Sequence, residues 1–109
     1  MAWLIRRGSV LASVEFIANP SDRSRVTTSL DVGDAVIWRT DSRIAHTFGV
    51  KRSLDVAYLD DDNVVIAVTG LGPMRLGRPR WRSAAILEGR SGAFAQWNLQ
   101  PGDPLEIRE

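Results

Sequence analysis

The sequence feature that most constrains the fold is a pair of apolar runs separated by an acidic turn. The runs are Leu54–Leu59 and Val64–Val68, and the turn between them reads Asp60-Asp61-Asp62-Asn63. Small and large apolar residues alternate in these runs, as is typical of strands, whereas a cluster of aspartate and asparagine favours a turn. The pattern predicts a β-hairpin, around which the other elements are expected to pack.

Other apolar runs predict further strands on both sides of the hairpin. They are Ala2–Ile5, Val10–Ala18, Ala35–Trp38, Ser83–Glu88 and Leu105–Ile107. Within the second run, the period of two places Val14, Phe16 and Ala18 on one face. The segment Gly70–Arg82 is rich in glycine, proline and arginine, which predicts irregular structure there.

Two short helices complete the predicted fold. The first follows the break at Asn19-Pro20-Ser21, with Asn19 or Ser21 as its N-cap, and the second covers Gly92–Leu99, with Ser91 as its N-cap. Trp38 and Trp97 suit buried faces, and Trp3 and Trp81 are expected to be part-exposed. The sequence predicts an α+β fold, mainly antiparallel β, with a small barrel-like or sandwich sheet.

Length and composition limit the classes of function. A chain of 109 residues predicts one domain over residues 1–109, and its net charge of +1 makes nucleic acid an unlikely partner. Cysteine is absent and histidine occurs once, which excludes disulfides, thiolate metal sites and a multi-histidine site within one chain. No metal or cofactor is therefore predicted.

The distribution of charges also bears on location. The first residues, MAWLIRRGSVLASVEF, do not have the layout of a signal peptide, because Arg6 and Arg7 interrupt the apolar run and Glu15 breaks the next one. No stretch reaches the roughly 20 apolar residues of a membrane-spanning helix. We expect a cytoplasmic protein without a membrane span.

An ordered set of short motifs resembles a known family. The motifs are His46-Thr47-Phe48-Gly49, Leu54-Asp55-Val56-Ala57-Tyr58-Leu59-Asp60, Ile86-Leu87-Glu88, Gly92-Ala93-Phe94-Ala95 and Gly102-Asp103. In this order they resemble the domain of unknown function 192 family of small bacterial and archaeal proteins. The resemblance covers roughly residues 19–107 and implies no activity, since none is established for that family.

The chain departs from the pattern of that family at three places. Ser53 stands where a proline is usual, and Val50 stands where a methionine is usual. In the first predicted helix, Arg25-Val26-Thr27-Thr28 replaces an Arg-Gly-Leu-Met-like signature. If that signature lines a site in the family, the site is altered here.

The histidine segment and two carboxylates are the first candidate site. His46, next to Thr47 and Phe48, is the one base that titrates near neutral pH. It could act as a general base or contact a ligand with Asp55 or Glu88 beside it, although a hydrogen-bonded structural role is favoured. Each carboxylate follows or interrupts an apolar run and needs a partner if buried. Both are more typical of structural than of ligand-binding roles.

Arginines are the second candidate site. Arg75, Arg78, Arg80 and Arg82 surround Trp81 in a segment without acidic residues. Arginine beside an aromatic ring can bind phosphates and other anions, although a solvated loop is the alternative. The acidic turn of the hairpin lacks the ligand spacing of a calcium loop.

These features favour an uncharacterised binding or accessory module without catalysis, whose partner is an anionic small molecule or a protein. One alternative is an enzyme that uses His46 with Asp55 or Glu88 on a small anionic substrate. A second is a structural subunit of a larger assembly. No catalytic residue is assigned.

Overall fold

The described residues fold into a single curled sheet with one short helix on each face. The computed structural model describes residues 2–18, 20–39, 47 and 50–109. The strands and helices are β1 (Ala2–Arg6), β2 (Ser9–Phe16), α1 (Pro20–Thr28), β3 (Asp34–Arg39), β4 (Leu54–Leu59), β5 (Val65–Leu71), β6 (Ala85–Arg90), α2 (Ala93–Gln96) and β7 (Leu105–Arg108). This architecture confirms the predicted fold class.

The seven described strands form one sheet in the order β5-β4-β6-β3-β2-β1-β7. Of these strands, only β2 and β3 pair in parallel. α1 lies between them in the sequence and brings the chain back to the end of the sheet at which β2 begins. The turn Gly102-Asp103 joins the first and last strands of this order, because the Val65 N–H donates to the Asp103 carbonyl and the Gly102 N–H to the Val65 carbonyl. The sheet is therefore a half-barrel that closes at one end.

The predicted hairpin is β4 and β5. Its turn is held by the Asp60 carboxylate, which accepts the N–H groups of Asp62 and Val64, each at 2.9 Å. Asn63 takes the left-handed conformation that asparagine tolerates, with φ 61°. Gly70 and Leu71 belong to β5, so irregular structure begins after them and not at Gly70 as the composition predicted. The acidic cluster thus shapes a turn.

Alternate residues of the central strands β3, β4 and β6 build two separate cores. The α2 face carries Ala35, Ile37, Ala57, Leu59 and Leu87, packed against Phe94 and Trp97. The α1 face carries Val36, Val56, Tyr58 and Ile86, packed against Val26, Leu30 and Val50. The two faces of the central strands therefore have different coverings, which decides the surroundings of each candidate site residue.

Packing on the α2 face explains one glycine. A Cβ on Gly89 would lie 2.8 Å from Cε1 of Phe94, closer than carbon atoms pack. The Phe94 ring is buried and lies 5.2 Å from the Trp97 ring, so it has little room to move. The missing side chain at this position of β6 thus allows α2 to approach the sheet.

Three local predictions need correction. Gly92, and not Ser91, is the N-cap of α2, and α2 ends at Gln96 and not at Leu99. Gly92 has φ 95°, a conformation that serine adopts only with strain. The strand expected to reach Ala18 ends at Phe16, whose side chain is 50% exposed. Trp97 is buried, as predicted, Trp38 is half-buried, and Trp3 and Trp81 are exposed.

Candidate functional site

The arginine loop, defined as Gly72–Arg82, exposes both charged and apolar side chains. Arg75, Arg78 and Arg82 are exposed, and no acidic side chain of the described residues pairs with them. Met74 and Leu76 are each 61% exposed, and Trp81 is 77% exposed. Large apolar side chains so exposed and so close in the chain are typical of interaction surfaces.

Thr47 anchors the start of this loop. Its hydroxyl accepts the Arg75 N–H at 2.8 Å and donates to the Gly72 carbonyl at 2.5 Å. Its backbone N–H donates to the Arg75 carbonyl at 2.8 Å, and its carbonyl accepts the Met74 N–H at 3.2 Å. Thr47 is fully buried. The predicted binding residue therefore holds the backbone of the arginine loop and offers no free hydroxyl to a ligand.

Tyr58 anchors the middle of the loop from below. Its hydroxyl donates to the Arg78 carbonyl at 3.2 Å, and the Arg80 guanidinium lies 5.6 Å from the centre of its ring. This is a cation–π distance, and Arg80 is the half-buried arginine of the four. The structure thus separates the predicted anion-binding set into three exposed arginines and one that packs against the sheet.

The loop runs back across the α1 face along β4. It begins after Leu71, which pairs with Leu54, and the chain returns to the sheet where the Ala84 N–H donates to the Leu59 carbonyl. Its backbone is therefore fixed at both ends and at its centre. The exposed side chains project from a supported segment that lies beside the hairpin.

Glu88 lies in the middle of the α1 face. On the sheet it is flanked by Val36 of β3 and Val56 of β4, and it is fully buried. The Arg23 guanidinium of α1 binds both of its oxygens, with Nε at 3.0 Å from Oε1 and Nη2 donating to Oε2. The same guanidinium lies 5.1 Å from the ring centre of Trp38. A bidentate partner therefore matches this buried charge, as a carboxylate in a core requires.

Asp55 lies on the opposite face. Its Oδ2 accepts the N–H groups of Gly92 and Phe94, each at 3.0 Å. It thus satisfies the first donors of α2, the role that the sequence assigned to Ser91. Because Asp55 and Glu88 lie on opposite faces, the structure does not bring the two candidate carboxylates together.

His46 and Phe48 lie outside the described residues. Thr47, which stands between them in the sequence, is described, and its own backbone bonds to the arginine loop. A site formed by His46 with Asp55 or Glu88 stays a prediction. Sequence reasoning did not single out Arg23, although an acidic residue at the end of an apolar strand signals that a partner must exist.

Two further carboxylates lie at the rim of the sheet. The Val32 N–H and the Arg90 guanidinium lower the pKa of Asp31. Burial opposes ionisation of Asp103, but the Gln100 N–H and the guanidinium groups of Arg6 and Arg7 outweigh it and lower its pKa. Both carboxylates hold turns together by these contacts.

A pocket of 340 Å³ lies between α1 and the parallel strands, lined by Ser13, Val14, Glu15, Val26, Ser29, Leu30, Asp34 and Ala35. The carboxylate of Asp34 accepts the Ser13 hydroxyl at 3.1 Å and the Asp31 N–H at 3.0 Å. Its oxygens thus already have partners. Among the described residues, no group of three or more histidine, cysteine, aspartate or glutamate side chains could hold a metal ion.

None of the helices described is long and apolar enough to cross a membrane.

Comparison with protein families gives a match over nearly the whole chain. The model of the family DUF192, described as "Uncharacterized ACR", matches residues 4–107. A UPF0127 protein of Pyrococcus abyssi (strain GE5 / Orsay) is 33% identical over 61 residues. That alignment covers 56% of this chain and 52% of the relative, so the chain spans about half the length of the curated protein it matches.

Two solved structures share the fold. A protein of unknown function from Novosphingobium aromaticivorans DSM 12444 superposes with a TM-score of 0.76 at 16% identity, covering 96% of this chain and 82% of its own. A "putative transcription regulator" from Sinorhizobium meliloti 1021 superposes with a TM-score of 0.78 at 20% identity, covering 97% of this chain and 91% of its own. At these identities the likeness establishes the fold alone.

Proposed function

This chain belongs to the DUF192 family of uncharacterised proteins, and we propose that it is a non-catalytic module that binds an anionic partner through the arginine loop. One observation carries the proposal. Three arginines and three large apolar side chains are exposed together on a loop whose backbone is anchored by Thr47 and Tyr58.

The chemistry of the loop favours recognition of an anion on an apolar carrier. Arginine binds carboxylates and phosphates through a planar fork of donors, and Trp, Met and Arg are enriched in protein interfaces. No aspartate or glutamate occurs from Gly70 to Ser83, so the positive charge of the loop is not neutralised locally. A partner that carries both acidic and apolar groups would contact both kinds of side chain.

Anchoring of the loop supports binding as its purpose. A loop that must become ordered on binding loses conformational entropy, which weakens the complex. Here the bonds of Thr47 and Tyr58 fix the backbone at Gly72, Arg75 and Arg78 before a partner arrives. The side chains are then presented on a largely preformed surface.

The contacts of the two carboxylates favour this function over catalysis. A general acid or base must reach the substrate. Asp55 binds the start of α2, and Glu88 is fully buried against Arg23 on the other face. The alternative, an enzyme, would require His46 to lie beside Asp55 or Glu88. It would also require a substrate that displaces the present partners of that carboxylate.

A ligand screen by thermal shift tests the proposal. The panel contains inorganic phosphate, citrate, a nucleoside triphosphate, polyglutamate and a single-stranded oligonucleotide; the last is included because a structural neighbour is described as a putative transcription regulator. A ligand that binds only the folded state raises the melting temperature by mass action. We expect the acidic polypeptide to give the largest shift, and the shift to fall at high salt.

A matched pair of variants makes the screen specific for the loop. Arg75→Gln with Arg78→Gln removes two charges from the loop, and Arg7→Gln with Arg108→Gln removes two exposed charges from the β1–β2 turn and β7. The first variant should lose most of the ligand-induced shift, and the second should keep it. A panel without any stabilising anion, or equal losses in both variants, would contradict the proposed function.

A further inference from the structure

The two edges of the sheet differ in a way that bears on the partner. β7 is short, and its Glu106 and Arg108 form an exposed ion pair at 2.7 Å. β5 is seven residues long and reads VIAVTGL, without charge or proline. Sheets normally protect their edges with charges, proline or short strands, and an uncharged edge of this length is a template for a further strand.

The hydrogen-bond pattern identifies the groups that β5 presents at this edge. The Leu59 carbonyl points away from β5, since it accepts the Ala84 N–H on the other side of β4. Backbone direction alternates along a strand, so Ala57 and Asp55 of β4 also point away from β5. Their partners are Val68 and Gly70. In an antiparallel pair, such residues direct their own N–H and C=O groups to the outer edge.

These outward groups are open in the part of the chain that the structure describes. The start of β5 is covered, since Val65 exchanges bonds with Gly102 and Asp103. Beyond it, β5 pairs only with β4. The one further contact is from the Thr69 hydroxyl to the neighbouring Gly70 carbonyl at 3.4 Å. An open edge therefore extends from Ile66 to Leu71.

The arginine loop lies on the same side of the hairpin as the α1 face. It leaves the end of β5 and runs back over Tyr58 of the adjacent strand. A strand added to β5 would be separated from Tyr58 by β5 alone, and it would direct alternate side chains to the face that carries this loop. Acidic side chains on it would meet the exposed arginines.

We propose that the open edge of β5 takes an extended acidic segment of another protein as an eighth strand. This inference rests on the proposed function and specifies its partner and its mode of binding. Backbone hydrogen bonds to Val68 and Gly70 supply part of the affinity, and the arginine loop selects acidic side chains, as in other complexes formed by strand addition.

Charge distinguishes this partner from a second copy of the chain. Two copies paired through antiparallel β5 strands would form one continuous sheet with a two-fold axis normal to it. Both arginine loops would then lie on the same side of that sheet and repel each other. An acidic segment of a different protein meets no such repulsion.

Gly70 allows the edge to be blocked with little change to the packing. Its N–H points outward, its φ is not in the left-handed region, and a Cβ there would meet no atom closer than Asp55 Oδ1 at 4.0 Å. Gly70→Pro removes the outward donor, and proline is tolerated on edge strands. Gly70→Ala adds a Cβ at the same place and keeps the donor, so it is the matched control.

The test uses two fluorescent ten-residue peptides of equal charge, one alternating valine with glutamate and one alternating proline with glutamate. Fluorescence anisotropy with the wild-type protein should show binding of the valine peptide and at least about tenfold weaker binding of the proline peptide, which cannot form a strand ladder. Gly70→Pro should weaken binding of the valine peptide about tenfold relative to Gly70→Ala, the effect of one or two lost hydrogen bonds.

A readout on the wild-type protein makes the result independent of folding of the proline variant. Amide hydrogen exchange at Val68 and Gly70 should slow when the valine peptide is bound. If both amides exchange unchanged, or both peptides bind equally and Gly70→Pro matches Gly70→Ala, strand addition is excluded. If the peptides bind without forming a strand but their binding is lost in Arg75→Gln with Arg78→Gln, the proposed function stands without this inference.

Other outcomes separate the two proposals further. If no acidic probe binds the wild-type protein, the proposed function fails, and the inference fails with it. If light scattering shows a dimer without peptide that Gly70→Pro dissociates, the edge takes a second copy and the inference is overturned. If only an oligonucleotide binds, the partner class is wrong.

Discussion

Asp55 and Glu88 illustrate two ways of placing a carboxylate in a sheet. They lie on adjacent strands, β4 and β6, and each binds a helix to one face. Glu88 is fully buried and has a charged partner from α1, whereas Asp55 is part-exposed and has neutral N–H partners at the start of α2. The comparison shows that a carboxylate can attach a helix to either face of the sheet, through a charged partner on one face and through backbone N–H groups on the other.

The energetic consequences of the two arrangements differ. Burial of both members of an ion pair removes their hydration, and the mutual attraction does little more than offset this loss. A part-exposed carboxylate that accepts helix N–H groups keeps some of its hydration and satisfies donors that would otherwise lack partners. Glu88 should therefore be costly to remove alone, and Asp55 should make a smaller contribution.

Glu88→Leu should give the largest loss of stability. It leaves the Arg23 guanidinium buried beside an apolar side chain, and breaking a buried pair in this way costs about 3–5 kcal/mol. Urea denaturation followed by circular dichroism measures the loss as a lower midpoint with an unchanged slope.

The double variant Arg23→Met with Glu88→Leu sharpens this comparison. Apolar replacement of both partners removes both charges of the pair, so most of the lost free energy of unfolding should return. If the double variant is as unstable as Glu88→Leu, the ion pair stabilises the α1 face more than apolar packing could. Glu88 would then resemble Asp55, whose bonds contribute net stability.

Asp55→Ala should have an intermediate effect. It removes the acceptor for the Gly92 and Phe94 N–H groups, a loss comparable to that of a helix N-cap, about 0.5–2 kcal/mol. Hydrogen exchange of the Phe94 amide should accelerate more than exchange in β3. Asp55→Asn keeps an acceptor oxygen and should lose less free energy of unfolding than Asp55→Ala. If Asp55→Ala loses as much as Glu88→Leu, the contrast between the two carboxylates is removed.

The local parts of this arrangement could be predicted from the sequence. The hairpin follows from two strand-like runs and a turn, all within a short segment, and its existence is confirmed. The need of Glu88 and Asp55 for partners followed from their places beside or within apolar runs. The buried position of Trp97 and the half-buried position of Trp38 follow from the sequence pattern of their elements.

The partners themselves could not be predicted, because they come from distant parts of the chain. Arg23 is 65 positions from Glu88, and Gly92 is 37 positions from Asp55. Ser91 was the reasonable N-cap by local pattern, but a strand residue supplies the acceptor instead. The same limit applies to Arg80, which the sequence pattern does not distinguish from the exposed arginines, because the fold brings it to the ring of Tyr58.

Asp103→Asn should have the smallest effect, and one that depends on pH. Asp103 lies at the rim of the sheet, where its Oδ2 accepts from Arg6 at 3.0 Å and from the Gln100 N–H at 2.9 Å. Its pKa is lowered from 3.8, so the ionised form is favoured in the folded state and contributes stability at neutral pH. That contribution is lost as the pH falls below 3.8 through the folded-state pKa.

Asp103→Asn should therefore be less stable than wild type by about 1 kcal/mol at neutral pH, and the difference should shrink in acid. Urea denaturation across a pH series measures the difference, with Asp61→Asn, at an exposed turn residue, as a control that should change stability little. A difference that stays constant with pH would mean that the stability lost in Asp103→Asn does not come from the charge of Asp103.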